Sequence, residues 1–444
     1  MFKFALPIMA MNILQLAFNA ADMIVVGRFD GSLALAAVGA TGSLINLIVN
    51  LFMGLSVGTA VVVAQDYGAR RTESIRQSVH TSIAISLIAG VLVAIAGLVL
   101  STPLLQMMGT PEDIIHLSSI YMRIFFLGIP ASMVYNFGAA ILRAVGDSKR
   151  PMYFLTVSGI INVVLNVLFV ATFRMGVAGV AWATVISQYL TMVLIMTSLA
   201  KNEGPLRFNW RRLKIHREKL KEIVRIGLPA GLQSLLFSIS NVLIQSSVNS
   251  FGSVMVAASA ASGNVENLVG TTMNSYYNAA ITYTGQSMGS EEYDRIDEIA
   301  KISTVFVFVT WIVLGGGIVL FGRLLLGLYT TDLAVIALGM VRLRIMMAVY
   351  FTGGIMNVFP GLTRAMGYSI LPMLSTLVGA CLLRILWLVT VFKWYPTMIV
   401  LFLAYPVTWT LAGAGQVGSF FYARRQVRKR TTNKAPGVEV SSTN

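Results

Sequence analysis

The sequence predicts an all-α membrane protein of twelve spanning helices in two related six-helix halves. Three observations carry this prediction. Hydrophobic residues make up 56% of the chain and charged residues 11%, against about 25% charged in soluble domains; mean hydropathy is +0.76. Twelve apolar runs are long enough for a helix that crosses the hydrocarbon core, which takes about 20 residues. Finally, the chain repeats itself at a constant offset. Arg143-Ala144-Val145-Gly146-Asp147-Ser148-Lys149-Arg150-Pro151-Met152 shares the pattern R-A-x-G-x-S-x-x-P-M with the segment beginning Arg364-Ala365-Met366-Gly367, 221 positions on. At the same offset Gln65 and Gly68 match Gln286 and Gly289, and Arg123 and Asn136 match Arg344 and Asn357. One residue of slip aligns Leu6-Pro7 and Asn19 with Leu228-Pro229 and Asn241. A duplication of this length in an apolar chain is characteristic of secondary transporters, which handle substrate between the repeats.

The runs fall at 5–27, 33–65, 76–101, 114–142, 151–171, 176–200, 223–249, 254–287, 297–321, 333–362, 369–391 and 396–422. Met1-Phe2-Lys3 leads directly into a run holding Gln15, Asn19 and Asp22, which is not the pattern of a cleaved signal. The second, fourth, eighth and tenth runs exceed the minimum, so those helices tilt, bend or protrude. Gly54, Gly58, Pro130, Gly270 and Pro360 are the expected bending points.

The formal charge of +15 is read by position, because basic residues mark cytoplasmic loops. With the N-terminus inside, 25 Lys and Arg fall on cytoplasmic segments, four on external ones and four within or near spans. Both termini are therefore expected in the cytoplasm, and the two halves have the same orientation, a parallel repeat. The organisation that follows is an N-terminal lobe (1–200), a basic cytoplasmic linker (201–222), a C-terminal lobe (223–424) and a disordered tail (425–444). Nucleic acid is not an expected partner, and a monomer is expected in the bilayer. The lone Cys381 excludes an internal disulfide and a cysteine metal site.

Of the eighteen acids, only Asp22 and Glu266 lie well inside spans. A carboxylate in hydrocarbon costs about 2.5–3.5 kcal/mol or more, so it faces a cavity or a partner. Gln15, Asn19 and Asp22 fall on one face of the first helix. Asn162 and Asn166 lie on the fifth helix and Thr184 on the sixth. Carboxylate, amide and hydroxyl oxygens suit a proton or Na⁺ site, with Asp22, Asn162 and Thr184 the Na⁺ candidates; the alternative role for such groups is bonding between helices. Arg384, the one base in the middle of the eleventh span, is the expected partner of Glu266. Ser234, Ser238, Asn241 and Gln245 on the seventh helix, with Asn267, Asn274, Tyr277 and Asn278 on the eighth, read either as a water-accessible cavity wall of the second lobe or as bonding between helices. No G-x-x-x-x-G-K-[ST] loop or H-E-x-x-H pattern is present, so neither an ATP motor nor a zinc protease is expected. His80, His116 and His216 stand by no nucleophile, and an enzyme is not expected.

The residues resemble the multidrug and toxic compound extrusion (MATE) family over roughly 4–422. The resemblance rests on Leu6-Pro7 with Asn19-Ala20-Ala21-Asp22-Met23-Ile24-Val25-Val26-Gly27-Arg28, on Ala36-Ala37-Val38-Gly39, on Gln65-Asp66-Tyr67-Gly68-Ala69, on Arg143-Ala144-Val145-Gly146-Asp147 with Pro151-Met152, and on Gly176-Val177-Ala178-Gly179-Val180-Ala181-Trp182-Ala183-Thr184. It implies two bundles forming a V that alternates between outward- and inward-open states. It also implies export, from a prokaryotic plasma membrane, of organic and often cationic amphiphiles in exchange for H⁺ or Na⁺, with no other cofactor. Asp22 then matches the coupling carboxylate, Asn162 a fifth-helix amide and Thr184 a sixth-helix hydroxyl. Asn166 departs from relatives that carry a second aspartate there. The rival readings are a flippase for a lipid-linked precursor, which calls for several intramembrane cations, and a passive channel or receptor. Net negative intramembrane charge, from Asp22 with Glu266 offset by Arg384, is expected to favour cations.

Overall fold

The computed structural model describes residues 1–434, and among them every regular element is helical. The helices are α1 (Phe2–Phe29), α2 (Gly31–Gly68), α3 (Thr72–Met107), α4 (Glu112–Ala144), α5 (Lys149–Thr172), α6 (Gly176–Ala200), α7 (Arg217–Asn249), α8 (Ser253–Gly289) and α9 (Asp294–Gly327). They continue with α10 (Leu333–Ala348 and Tyr350–Ala365), α11 (Ile370–Phe392) and α12 (Met398–Lys434). Each apolar run falls on one helix, with limits that agree within a few residues except at the end of the last, which runs on to Lys434. Ten helices are long and apolar enough to span, and the bent α10 makes an eleventh. The 37-residue α8 falls short on composition, because Asn, Ser and Thr recur along it. It occupies the place of the eighth span.

Two expectations change. The 55° bend in α10 lies at Val349, not at Pro360. The indole N–H of Trp311 donates to the carbonyl of Met347 (2.5 Å), so a side chain enters the helical hydrogen-bond ladder there, a recognised cause of kinks. Pro360 sits inside the continuous second segment, and α2, α4 and α8 run without a break through Gly54, Gly58, Pro130 and Gly270. Residues 425–434, expected as disordered tail, continue α12; the rest of that tail lies outside the described residues.

The duplication is visible in the backbone. Gly31 and Gly252 have φ of 88° and 89°, Arg70 and Glu291 55° and 59°, and Gly146 and Gly367 95° and 90°. Each pair is 221 residues apart. Glycine meets the last pair's requirement without a Cβ penalty, and it turns the chain between α4 and α5 and between α10 and α11. The π-helical turns Val167–Thr172 and Leu388–Phe392 also stand at equivalent positions. Large apolar side chains such as Leu92, Val99, Leu320 and Leu324 are 62–79% exposed, as expected of surface that faces lipid. The largest buried apolar cluster fills the C-terminal lobe and takes in Phe4, Ile8 and Met11 of α1.

The lobes meet on the side of the 201–222 linker, hereafter the linker face. A Cβ on Gly54 would lie 2.1 Å from the nitrogen of Gly231, and one on Gly58 2.2 Å from the carbonyl oxygen of Ile223. Only glycine admits this approach of α2 to α7. Nearer the face the contact becomes reciprocal. Gln65 donates to the carbonyl of Ala365 (2.7 Å), and its repeat equivalent Gln286 donates to the carbonyl of Ala144 (2.8 Å). Cβ atoms on Gly68 and Gly289 would lie 2.0 Å and 1.9 Å from the carbonyl oxygens of Gln286 and Gln65. The duplicated Q-x-x-G and R-A segments thus form a two-fold latch between α2, α8 and the ends of α4 and α10. Lys219 of α7 adds a buried ion pair to Asp66 of α2 (2.9 Å) and bonds Glu222 (2.9 Å).

Each latch hydrogen bond contributes about 1 kcal/mol net, so Gln65→Ala with Gln286→Ala is expected to shift the balance between closed and open linker faces by about 2 kcal/mol, roughly 30-fold. Labelling of a cysteine placed at Ala64, in a Cys381→Ala background, reads the shift. Unchanged labelling in the double variant would show that the glutamines do not hold the face shut.

Candidate functional site

A cavity of about 440 Å³ lies between the lobes, above the latch, within the usual range of about 300–1,000 Å³ for ligand sites. Its walls come from α1 (Ile8 to Gln15), α2 (Asn50 to Ala60), α7 (Ala230 to Phe237), α8 (Asn274 to Ile281), and α4, α6, α10 and α11. Amides dominate its polar surface: Asn12, Gln15 and Asn50, the repeat-equivalent Asn136 and Asn357, and Gln188. Tyr135, Phe237 and Tyr277 supply rings. The charged lining residues are both arginines, Arg143 and Arg364.

Of the residues expected on this wall, Gln15, Asn274 and Tyr277 are there, with Ser234 and Asn278. Asn19, Asn241, Gln245, Glu266 and Arg384 are not. Asn241 accepts from Arg384 Nη1 (2.7 Å), which ties α7 to α11, and Gln245 donates to Asn249 (3.0 Å) on its own helix. Asn19 is exposed on α1. Arg143 and Arg364 had been assigned to cytoplasmic loops by the charge count. Their placement was legible only as the duplicated motif itself, whose two copies converge here.

Asp22 lies two turns further along α1 than Gln15, outside the cavity wall and half-buried. Asn166 donates to its carboxylate, and the same amide nitrogen lies 3.2 Å from Asn162 Oδ1. The carbonyl oxygen Oδ1 of Asn166 is buried with no hydrogen-bond partner. The amide nitrogen of Asn166 therefore joins oxygens of Asp22 and Asn162 between α1 and α5, and the Asn166 carbonyl oxygen is left unsatisfied. Thr184 bonds the carbonyl of Val180 (3.0 Å) on its own helix and makes no hydrogen bond to this group. Among the described residues no cluster of three His, Cys, Asp or Glu is present.

The expected Glu266–Arg384 pair is corrected. Glu266 is gripped by Arg342 of α10, Nε to Oε1 at 3.0 Å and Nη2 to Oε2 at 3.1 Å. Arg342 Nη1 also bonds Ser259. Arg384 is fully buried against Tyr405 (4.7 Å to the ring centroid) and Phe237 (5.5 Å), and Ser240 and Asn241 accept from it. Arg342 and Arg384 both sit at plausible depth for Glu266. Which one meets it depends on which helix packs beside α8, and that neighbour is α10.

Two lobes of six helices around a central polar cavity, with a carboxylate buried in one lobe, define a membrane carrier built from a parallel repeat. A MatE family model matches residues 7–168 and again 229–390, and the chain belongs to this multidrug and toxic compound extrusion family. It is 32% identical over 379 residues to the probable multidrug resistance protein YoeA of Bacillus subtilis, covering 83% of this chain and 81% of that one. It is 22% identical over 367 residues to the multidrug export protein MepA of Staphylococcus aureus, with the same coverage. The structure of the Vibrio cholerae MATE transporter VcmN, in a mutant form, superposes with a TM-score of 0.89 at 23% identity over 96% of each chain.

Removing one partner of a buried bidentate pair typically costs about 3–5 kcal/mol. Glu266→Gln and Arg342→Met are each expected to lower stability by that order, and the double variant by less than their sum. Thermal unfolding midpoints of the four proteins in detergent provide the cycle. Additive effects would contradict the pairing.

Proposed function

We propose that the chain is an ion-coupled efflux antiporter that exchanges H⁺ or Na⁺ for amphiphilic organic compounds, cations among them, by alternating access. The observation that carries this reading is the arrangement along α1. The helix bears Asp22 at one level, lines the inter-lobe cavity with Ile8, Met11, Asn12 and Gln15 at the next, and contacts the other lobe below. There Asn12 donates to Ser275 and to the carbonyl of Thr271 (both 3.3 Å), and Phe4 packs on Tyr283 (5.6 Å between ring centroids).

Protonation of Asp22, or Na⁺ bound beside it, changes what α1 must satisfy against Asn162 and Asn166. It therefore changes how α1 packs where the helix also lines the cavity and touches α8. Reading the linker face as cytoplasmic makes the latched state outward-facing. Energy is available without ATP, since one charge crossing 100 mV yields about 2.3 kcal/mol. The names of YoeA and MepA support a multidrug substrate range. The cationic preference follows from the family resemblance rather than from the cavity, whose wall contains no carboxylate. Aromatic faces there give a cation about 0.5–2 kcal/mol per contact.

Asp22→Asn keeps shape and hydrogen bonding and removes the titratable charge. In proteoliposomes with an imposed pH or Na⁺ gradient, it is expected to reduce dye export by about tenfold or more, as loss of a 1–3 kcal/mol coupling would. Counterflow of dye without a gradient should persist. Wild-type gradient-driven export by a well-folded Asp22→Asn protein would remove Asp22 from the mechanism.

A further inference from the structure

We propose that the cavity binds an anionic group of its substrate, a carboxylate on an amphiphile, between Arg143 and Arg364. The inference rests on reading this cavity as the substrate chamber and adds the chemistry it selects.

Arg143 and Arg364 are the charged members of the wall, and no acid accompanies them. Other buried guanidinium groups are balanced by carboxylates: Arg342 meets Glu266 and Arg424 meets Asp297. Arg384, which has no acid partner, is held by Ser240 and Asn241 and covered by Tyr405 and Phe237, the latter standing between it and the cavity, so it does not reach the wall itself. Arg143 has no side-chain hydrogen bond or ion pair with any described residue. Arg364 is 4% exposed. Its Nη1 donates to the hydroxyl of Tyr277 (2.6 Å) and its Nη2 to Gln233, while Nε is buried without a partner. These bonds fix the guanidinium in place without neutralising it.

Two guanidinium groups that face one cleft with no acid between them carry a cost of like-charge repulsion. An oxyanion offsets that cost with charge-assisted hydrogen bonds, often in paired geometry. A cation or a neutral amide does not. The arginines are repeat equivalents, so one is presented by each lobe, and a ligand between them is held by both halves at once. Each also precedes a latch carbonyl: Ala144 accepts from Gln286 and Ala365 from Gln65. The charge site and the closure of the linker face thus share the same turns. A substrate with both a carboxylate and a cationic centre satisfies this site and the aromatic faces above it.

The test is equilibrium binding to the full chain in lipid nanodiscs at neutral pH, with no ion gradient. The probes are a dansyl-labelled medium-chain carboxylic acid and its methyl ester, followed by dansyl fluorescence. The acid is expected to bind about tenfold or more tighter than the ester, as hydrogen bonds to charged groups allow. Arg143→Gln is expected to bring the acid down to the ester's affinity and leave the ester unchanged, and Arg143→Lys to restore part of the difference. Arg364→Gln should act alike; because Arg364 also braces Tyr277 and Gln233, Arg143→Gln decides if that protein does not fold. Equal binding of acid and ester to the wild type overturns the proposal and leaves the chamber standing, as does an Arg143→Gln protein that retains the preference for the acid. Failure of both probes to bind the wild type overturns the proposal and the chamber together.

Discussion

How near two helix backbones can come at the linker face sets much of the rest of this structure. Along α2, Gly54, Gly58 and Gly68 let its backbone touch α7 and α8 at distances no side chain permits. The close approach brings Gln65 and Gln286 within reach of carbonyls in the opposite lobe, and it closes the floor of the cavity. In a bilayer little hydrophobic force drives one helix onto another, so packing and polar contacts decide association, and small residues mark the sites. The interface is small-residue packing with a few hydrogen bonds and one buried ion pair. Such a contact holds a state without making its release prohibitive, which suits the proposed alternating access.

The two halves share a scaffold and differ in chemistry. Turns, latch and π-helical segments recur at one offset. The intramembrane acids do not: Ile244 stands opposite Asp22 and Ile45 opposite Glu266. In the N-terminal lobe the carboxylate meets neutral amides and no cation. In the C-terminal lobe the carboxylate is tied bidentately to Arg342, whose guanidinium lies over the rings of Phe402 and Tyr405. Breaking such a pair leaves a buried charge uncompensated. Glu266 is therefore suited to holding α8 against α10.

The twelve helices, their limits to within a few residues except at the end of α12, and the duplication were legible in the sequence, because hydropathy and a constant offset are properties of the chain alone. So were the depth of Asp22 in the first span and the shared face of Asn162 and Asn166 on the fifth, since i and i+4 positions share a helix face in any fold; that the two helices would bring Asn166 to Asp22 was not. What depended on which helices become neighbours was not legible. Glu266 faced two candidate arginines at similar depth, and only the packing of α8 beside α10 distinguishes them. Arg143 and Arg364 adjoin Gly turns and, in one copy, Lys149 and Arg150, so charge counting assigned them to loops. Their burial becomes apparent only when the ends of α4 and α10 fold under the cavity. The kink at Val349 escaped for a related reason: its cause, Trp311, lies on another helix.

The position of charge across the molecule bears on mechanism more than its sum does. Asp22 and the arginine pair have opposite signs and lie in separate compartments, one inside the N-terminal lobe and one between the lobes. A group that shared its pocket with the substrate would couple ion and substrate by direct competition. Separated groups must couple through an element that touches both. Here α1 does: it carries Asp22, lines the cavity and packs into the core of the opposite lobe through Phe4, Ile8 and Met11. Its lower half belongs energetically to one lobe and its upper half to the other. Under the proposed coupling, a change in what Asp22 binds would act on the packing of α1 between the lobes, and the latch beneath the arginines is the contact between them that it would have to release.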